Sequence, residues 1–102
     1  KKDDHMKALD LLNKALELDP NDAINYNNRG VARYKLGQYQ QAIKDFNRAI
    51  HLDPNDLYAY NNRGNAFYEL GKTKRACNDW RKACYLGNCE GLNWAKEKGF
   101  CK

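Results

Sequence analysis

The sequence lacks any run of apolar residues long enough to cross a membrane. A bilayer span takes roughly 18 to 20 consecutive apolar residues, whereas charged residues, 30% of the 102, interrupt every apolar stretch here. The first residues, Lys1-Lys2-Asp3-Asp4, also lack the apolar core of a signal peptide. With 42% hydrophobic residues the chain can bury one compact core, so the sequence predicts a single domain without a membrane span.

The residue combinations of enzyme active sites are also missing. No nucleophile stands beside a base, no glycine-rich phosphate loop occurs, and no pair of carboxylates is placed for acid-base catalysis. A Cys-x-x-Cys pair is absent, and neither His5 nor His51 is near the cysteines in the sequence, which argues against a zinc site. The sequence therefore predicts a protein that is not an enzyme and that uses no metal and no cofactor.

An excess of positive charge is absent from residues 1–71, which hold ten basic and ten acidic side chains. The net charge of +5 arises in residues 72–102, where eight basic side chains stand against three acidic ones. A basic patch can attract acidic partners or nucleic acid. Proteins that bind nucleic acid interleave such charges with exposed aromatic residues, but most aromatic residues here lie in the neutral part. Nucleic-acid binding through the basic C-terminal third is therefore the weaker alternative.

What the sequence does contain is an internal repeat with a period of 34 residues. Asp19-Pro20-Asn21-Asp22 returns as Asp53-Pro54-Asn55-Asp56, and Asn27-Asn28-Arg29-Gly30 returns as Asn61-Asn62-Arg63-Gly64. Apolar spacing, with glycine and proline as punctuation, indicates six helices. Their predicted ranges are 4–18, 23–36, 39–52, 57–70, 73–86 and 90–99.

The pattern within each repeat predicts a helical hairpin. Asp22 and Asp56 stand where a side-chain oxygen would cap the following helix. Small residues such as Gly30 let two helix backbones approach closely, and Phe46 is expected to fill the space opposite this glycine. Trp80 is expected to fill the equivalent space in the next unit, opposite Gly64.

Residues that face each other across an antiparallel hairpin have sequence numbers with a nearly constant sum. This rule places Arg29 opposite Asp45, and Arg63 opposite Asp79. In the incomplete upstream unit the helix that carries the arginine is missing, and Leu11 replaces the aspartate. The sequence therefore predicts a structural ion pair inside each complete hairpin, with the arginine stem packed against apolar neighbours.

The sequence resembles tetratricopeptide repeat (TPR) proteins, whose units of about 34 residues contain two helices. In the complete middle unit the matching residues are Tyr26, Gly30, Gly37, Tyr39, Ala42, Phe46, Ala49 and Pro54. In the next unit they are Tyr60, Gly64, Gly71, Ala76, Trp80 and Ala83, with Asn88 in place of the closing proline. Upstream, the second half of a unit is matched by Ala8, Leu12, Ala15 and Pro20.

This resemblance implies an all-α fold: a right-handed α-solenoid of antiparallel helical hairpins with a C-terminal capping helix. We expect residues 1–102 to form one TPR domain. Its parts would be the second half of a partial repeat (1–22), two complete repeats (23–56 and 57–88) and the capping helix (89–102).

The resemblance also implies a concave groove lined by the first helix of each unit, the surface that repeat proteins use for binding. The groove positions in this sequence are Ile24, Asn27, Asn28, Val31, Tyr34, Lys35, Tyr58, Asn61, Asn62, Asn65, Tyr68 and Glu69. Asparagine can donate and accept hydrogen bonds, and tyrosine adds apolar contact, which suits an extended peptide. In the other interpretation, one asparagine of each adjacent pair bonds to the neighbouring hairpin instead.

The function that this implies is a protein-protein interaction scaffold that binds a peptide or protein segment in the groove. The alternative is an architectural or self-associating segment of a larger TPR protein. Some family members grip a terminal carboxylate with lysine, asparagine and arginine at defined groove positions. Asn28 fits one of these, but Tyr58 and Asn62 occupy the lysine and arginine positions, so no carboxylate clamp is predicted.

All four cysteines lie in the last third of the chain. The same sum rule places Cys77 opposite Cys101, whereas Cys84 and Cys89 flank the turn. Similar cysteine-bearing ends occur in exported bacterial TPR arrays, which this segment resembles. A Cys77–Cys101 disulfide that fastens the cap is one expectation, and reduced, buried thiols are the other. Bridged cysteines would indicate a periplasmic or extracellular location, and reduced ones the cytoplasm.

The first predicted helix, residues 4–18, has no hairpin partner upstream. We therefore expect Leu9, Leu12 and Leu16 to be uncovered. From this we expect that the natural protein continues upstream and that this chain self-associates, as a homodimer, through the uncovered helix.

Overall fold

The computed structural model describes residues 1–102 and contains six α-helices and no β-strand. The helices are α1 (Lys2–Leu18), α2 (Ala23–Lys35), α3 (Tyr39–Leu52), α4 (Leu57–Glu69), α5 (Thr73–Tyr85) and α6 (Glu90–Glu97). The predicted all-α fold is confirmed, and every predicted helix end lies within two residues of the observed one. None of the six helices combines the length and the apolar composition that a membrane crossing requires.

The turns between hairpins repeat the same hydrogen bonds. The carboxylate of Asp22 caps α2 by accepting from the backbone N–H of Asn25 at 3.2 Å, and Asp56 caps α4 by accepting from the equivalent N–H of Ala59 at 3.4 Å. Within each hairpin the turn needs a positive φ, which Gly37 (79°) and its copy Gly71 (76°) provide. The chain therefore enters each hairpin, and reverses within it, by the same local chemistry.

The helices pack in a regular order that places α2 and α4 side by side. Helices α2 and α3 form one antiparallel hairpin and α4 and α5 the next, while α1 packs on α2, α3 on α4 and α6 on α5. Direct contact between α2 and α4 makes these two first helices neighbours in one wall. This wall carries the predicted groove residues.

Each complete hairpin closes around one large aromatic residue beside a glycine. Phe46 lies directly against Gly30, and Trp80 lies against Gly64. A methyl group on Gly64 would come within 2.9 Å of the Trp80 indole and 3.2 Å of the carbonyl oxygen of Ala76. Only a residue without a side chain fits at this crossing.

We expect Gly64→Ala to lower the free energy of unfolding by about 1 to 2 kcal/mol, because the added methyl group overpacks the contact with Trp80. Urea denaturation measures the change. In an unstrained helix the same substitution would stabilise by up to about 1 kcal/mol. Asn28→Ala, at an exposed position of α2, is the matched control, and a stabilised Gly64→Ala variant would contradict the close packing.

The first helix is better covered than expected. Leu16 is only 5% exposed, and Leu9 and Leu12 are half-buried, because α1 packs along α2. The expectation that these leucines are uncovered is therefore wrong for Leu16 and overstated for the other two. The exposed large apolar residues of α1 are instead Met6, Leu11 and Leu18.

The C-terminal helix α6 folds onto α5 and is fastened by two disulfides. Cys77 on α5 is bonded to Cys101, with their Cα atoms 5.7 Å apart. A second disulfide, which sequence reasoning did not anticipate, joins Cys84 and Cys89 across the turn before α6. Around Cys77, the residues Ala76, Trp80, Leu92, Ala95 and Cys101 form one buried apolar cluster. Helix α6 therefore closes the end of the second complete hairpin.

Candidate functional site

A cavity of about 460 Å³ opens between the wall of α2 and α4 and the C-terminal helix α6. We call it the cap cavity; it is lined by Tyr34, Asn61, Asn65, Tyr68, Glu69, Trp80, Glu90, Gly91 and Trp94. A narrower cavity of about 90 Å³ adjoins it and shares Tyr34 and Asn65 with it. This side cavity is lined by Val31, Tyr34, Lys35, Phe46, Asn62 and Asn65.

The structure brings most of the sequence-predicted groove residues together at these two cavities. The predicted residues in the cap cavity are Tyr34, Asn61, Asn65, Tyr68 and Glu69, and the side cavity adds Val31, Lys35 and Asn62. Ile24, Asn27, Asn28 and Tyr58 line neither cavity. Ile24 and Tyr58 are 69% and 65% exposed, so their side chains lie open to solvent.

Some of the groove asparagines form hydrogen bonds within the chain, whereas the side chains of others remain free. Asn62 donates its amide N–H to the Asn27 carbonyl oxygen at 3.2 Å, which ties α4 to α2. Asn65 accepts a hydrogen bond from the Trp80 indole N–H at 3.1 Å. Asn61 lines the cap cavity and uses its side chain in no hydrogen bond of this kind. Its amide group is therefore available to a ligand.

Tyr34 and Glu69 form a polar contact between α2 and α4, the first helices of the two complete hairpins. The Tyr34 hydroxyl donates to the Glu69 carboxylate at 3.4 Å. Burial of the phenol, and then the negative charge of Glu69, raise the pKa of Tyr34 to about 12. The phenol therefore stays protonated, and keeps donating, throughout the physiological range.

The raised pKa of Tyr34 predicts that the folded protein loses stability at alkaline pH. Because the folded-state pKa of Tyr34 lies above its ordinary value of 10.0, its contribution to stability is complete below pH 10 and is lost as the pH rises towards 12. We expect Glu69→Gln to lower the pKa of Tyr34 only partly, because burial remains the larger cause. The absorbance titration of tyrosinate, taken as the difference between each protein and its Tyr34→Phe counterpart, measures this. An unchanged Tyr34 pKa in Glu69→Gln would contradict the contact.

Sequence reasoning missed the wall of the cap cavity that helix α6 supplies. This wall consists of Glu90, Gly91 and Trp94, and it lies beside Trp80 of α5. A side chain on Gly91 would meet the Trp80 indole at 2.7 Å and the Asn61 carbonyl oxygen at 3.1 Å. The backbone of α6 thus comes close to α4 and α5. The one sequence signal for this approach was a glycine in the first turn of a short helix.

The aromatic rings around the cap cavity meet edge to face. The Trp94 ring is perpendicular to that of Tyr68 (89°, centroids 5.4 Å apart) and nearly perpendicular to that of Trp80 (81°, 5.9 Å). Trp94 remains 40% exposed. These rings form a rigid corner with one accessible indole.

Behind the groove, buried ion pairs hold the hairpins. The Arg29 and Asp45 side chains approach to 2.7 Å, as do those of Arg63 and Asp79. Asp45 is only 3% exposed and also receives a hydrogen bond at 3.1 Å from Arg33, which sequence reasoning missed.

Arg29 and Arg63 also contact the repeat unit that precedes their own hairpin. Arg29 donates to the Asn13 carbonyl oxygen of α1 at 3.1 Å, and Arg63 donates to that of Asn47 on α3 at 2.9 Å. The two asparagines are one repeat period apart. The ion pairs and these hydrogen bonds therefore connect each hairpin to the unit before it.

The repeat units match the sequence profiles of one protein family. A profile described as TPR repeat matches residues 32–71, and profiles described as tetratricopeptide repeat match residues 11–44 and 57–86. The human small glutamine-rich tetratricopeptide repeat-containing protein beta is 49% identical over 45 residues, which is 44% of this chain and 15% of that protein. This chain therefore spans less than a sixth of that relative.

Two solved structures are similar over almost the whole chain. The Arabidopsis OM64 TPR domain superimposes with a TM-score of 0.88 at 31% identity, covering 94% of this chain and 80% of that one. The first TPR of Spaghetti (RPAP3), bound to the HSP90 peptide SRMEEVD, also gives a TM-score of 0.88, at 28% identity over 95% of this chain and 79% of that one.

Proposed function

Because this chain belongs to the tetratricopeptide repeat family, we propose that it is a protein-interaction scaffold that holds an extended segment of another protein. The observation that carries this proposal is the cap cavity, which four helices line with aromatic rings, carboxylates and the free amide of Asn61. An extended backbone needs hydrogen-bond partners spaced between apolar contacts, and this surface provides both. No catalytic reaction is assigned to the chain.

The comparison with the Spaghetti domain supports a peptide as the ligand of this chain, but it does not support a peptide with an acidic C-terminal end. That domain was solved with a peptide ending in Glu-Glu-Val-Asp. In this chain Tyr58 and Asn62 stand at the positions where a carboxylate clamp would need lysine and arginine, and Asn62 is bonded to Asn27. We therefore propose a peptide ligand that is not selected by its terminal carboxylate.

Selection from a phage-displayed random octapeptide library, followed by titration of individual peptides, tests this proposal. We expect Asn61→Ala and Trp94→Ala each to weaken binding about 5- to 10-fold, because each removes one contact worth about 1 kcal/mol. Tyr58→Ala, a substitution of an aromatic residue outside both cavities, is the matched control and should bind normally. Failure to enrich any peptide, or equal binding by all variants, would contradict the proposal.

Self-association is the second candidate function, and the exposed apolar residues of α1 favour it. Met6, Leu11 and Leu18 are 49%, 69% and 89% exposed. A second copy could cover them in a homodimer. Light scattering over a range of protein concentrations, compared with Leu11→Gln/Leu18→Gln, tests this. A monomer at all concentrations would exclude it.

A further inference from the structure

The cap cavity carries negative charge and no positive charge. Its charged lining residues are Glu69, at the end of α4, and Glu90, in the first turn of α6. No basic residue lines the cap cavity, and Lys35 lines the adjoining side cavity instead. The two carboxylates come from different helices that flank the same opening, so a positive group between them would be attracted by both.

The aromatic corner favours the same kind of group. The face of an indole ring carries negative electrostatic potential and attracts cations within about 6 Å, with tryptophan the strongest of the aromatic residues. Trp94 contacts Tyr68, Trp80 and Phe100 but remains 40% exposed. The rings and the carboxylates of the cap cavity therefore complement one ligand chemistry, although they belong to separate helices.

Glu69 is oriented for this role by the neighbouring helix. The Tyr34 hydroxyl donates to one of its carboxylate oxygens at 3.4 Å. A carboxylate has about four acceptor positions, so most of them remain for another donor. Tyr34 contributes no charge of its own to the cavity, because its phenol stays neutral.

We propose that the cap cavity takes a cationic side chain of the bound peptide, arginine in preference to lysine, with its charged group on the Trp94 ring and between Glu69 and Glu90. This step rests on the peptide binding proposed above. Arginine is favoured because its planar guanidinium can stack on an aromatic ring while its N–H groups reach carboxylates, whereas an ammonium is a compact, strongly hydrated charge. An acidic side chain at the same place would face two like charges and is excluded from the cavity.

Octapeptide pools with one fixed residue and seven randomised positions test this proposal. Pools with arginine, lysine, glutamine or glutamate fixed at each position in turn are titrated against the protein by fluorescence polarisation. We expect arginine at one position to bind on the order of 10-fold more tightly than glutamine there, and glutamate to bind more weakly than glutamine.

Charge variants inside and outside the cap cavity distinguish binding of arginine in the cavity from attraction to the overall charge of the protein. Glu69→Gln/Glu90→Gln should reduce the preference for arginine to the few-fold part that the Trp94 ring supplies, and Glu69→Lys/Glu90→Lys should invert it towards glutamate. Glu17→Gln/Glu97→Gln removes the same charge from exposed positions outside the cavity and should keep the preference. Circular dichroism melts verify that each variant is folded.

The outcomes distinguish the two levels of the proposal. Pools that bind without any preference for arginine, or a preference that is undiminished in Glu69→Gln/Glu90→Gln, would overturn the cationic site while leaving the peptide scaffold standing. If no pool binds, the scaffold function fails and the cationic site fails with it.

Discussion

Asp45→Leu is expected to lower the free energy of unfolding by roughly 3 to 5 kcal/mol, because it removes the shared counter-charge of two half-buried arginines. Arg29 approaches Asp45 to 2.7 Å and Arg33 to 3.1 Å, and the carboxylate is almost fully buried. Domains of this size are stable by only about 5 to 15 kcal/mol. The variant should therefore be largely unfolded at moderate urea concentrations, which circular dichroism measures directly.

The second hairpin provides a matched comparison, because position 67, one period after Arg33, is a phenylalanine. Asp79 therefore has a single ion-pair partner, Arg63. The double variant Arg63→Met/Asp79→Leu should recover most of the stability lost in Asp79→Leu, since no unpaired charge remains. Arg29→Met/Asp45→Leu should recover less, because Arg33 stays without its carboxylate. Zero coupling energy in both double-mutant cycles would refute the structural role of these pairs.

Replacing Cys77 and Cys101 with alanine is the substitution expected to affect both stability and binding. Loss of a disulfide that closes a loop of this length, with a sequence separation of 24, costs roughly 3 kcal/mol in the chain-entropy treatment. The larger consequence is local. Helix α6 has eight residues and packs mainly on α5, so without the bridge its far end can detach. Trp94 and Glu90 would then leave the cap cavity.

Hydrogen exchange of α6 and titration with a selected peptide measure these two effects. We expect faster exchange in α6 than in α2 to α5, and weaker peptide binding. Cys84→Ala/Cys89→Ala is the control, because that bridge closes a much shorter loop, with a sequence separation of 5, and should cost roughly 2 kcal/mol while leaving the far end of α6 fastened. Wild-type exchange in α6 of the Cys77→Ala/Cys101→Ala variant would contradict the fastening role.

The features that the sequence predicted best are those that occur twice. Helix ends, capping aspartates and the glycine-aromatic contacts follow from comparing residue n with residue n + 34, because equal environments keep equal residues. The opposition of Arg29 and Asp45 followed from hairpin geometry in the same way. Each of these interactions is local to one unit, so its pattern is visible without knowledge of the neighbours.

Features that occur once were missed. Arg33 has no counterpart in the next unit, so its contact with Asp45 carried no repeat signal. Helix α6 likewise has no second copy in the chain, and the direction from which Trp94 approaches the wall depends on tertiary packing. Most of the predicted groove residues on α2 and α4 line the two cavities. For the same reason as before, the sequence could not separate open positions such as Tyr58 from cavity-lining ones such as Asn61.

The matching turns before α2 and α4 make the hairpins interchangeable building blocks. In both turns the aspartate before the proline accepts a hydrogen bond from the backbone two residues later, at 3.1 Å in the first and 3.2 Å in the second. A duplicate of residues 23–56 could therefore be spliced in after residue 56 with native chemistry at both joints. Such an insertion would lengthen the concave wall by one unit while α6 stayed packed on α5. The length of the peptide-binding wall and the chemistry of the cap cavity can therefore be engineered separately.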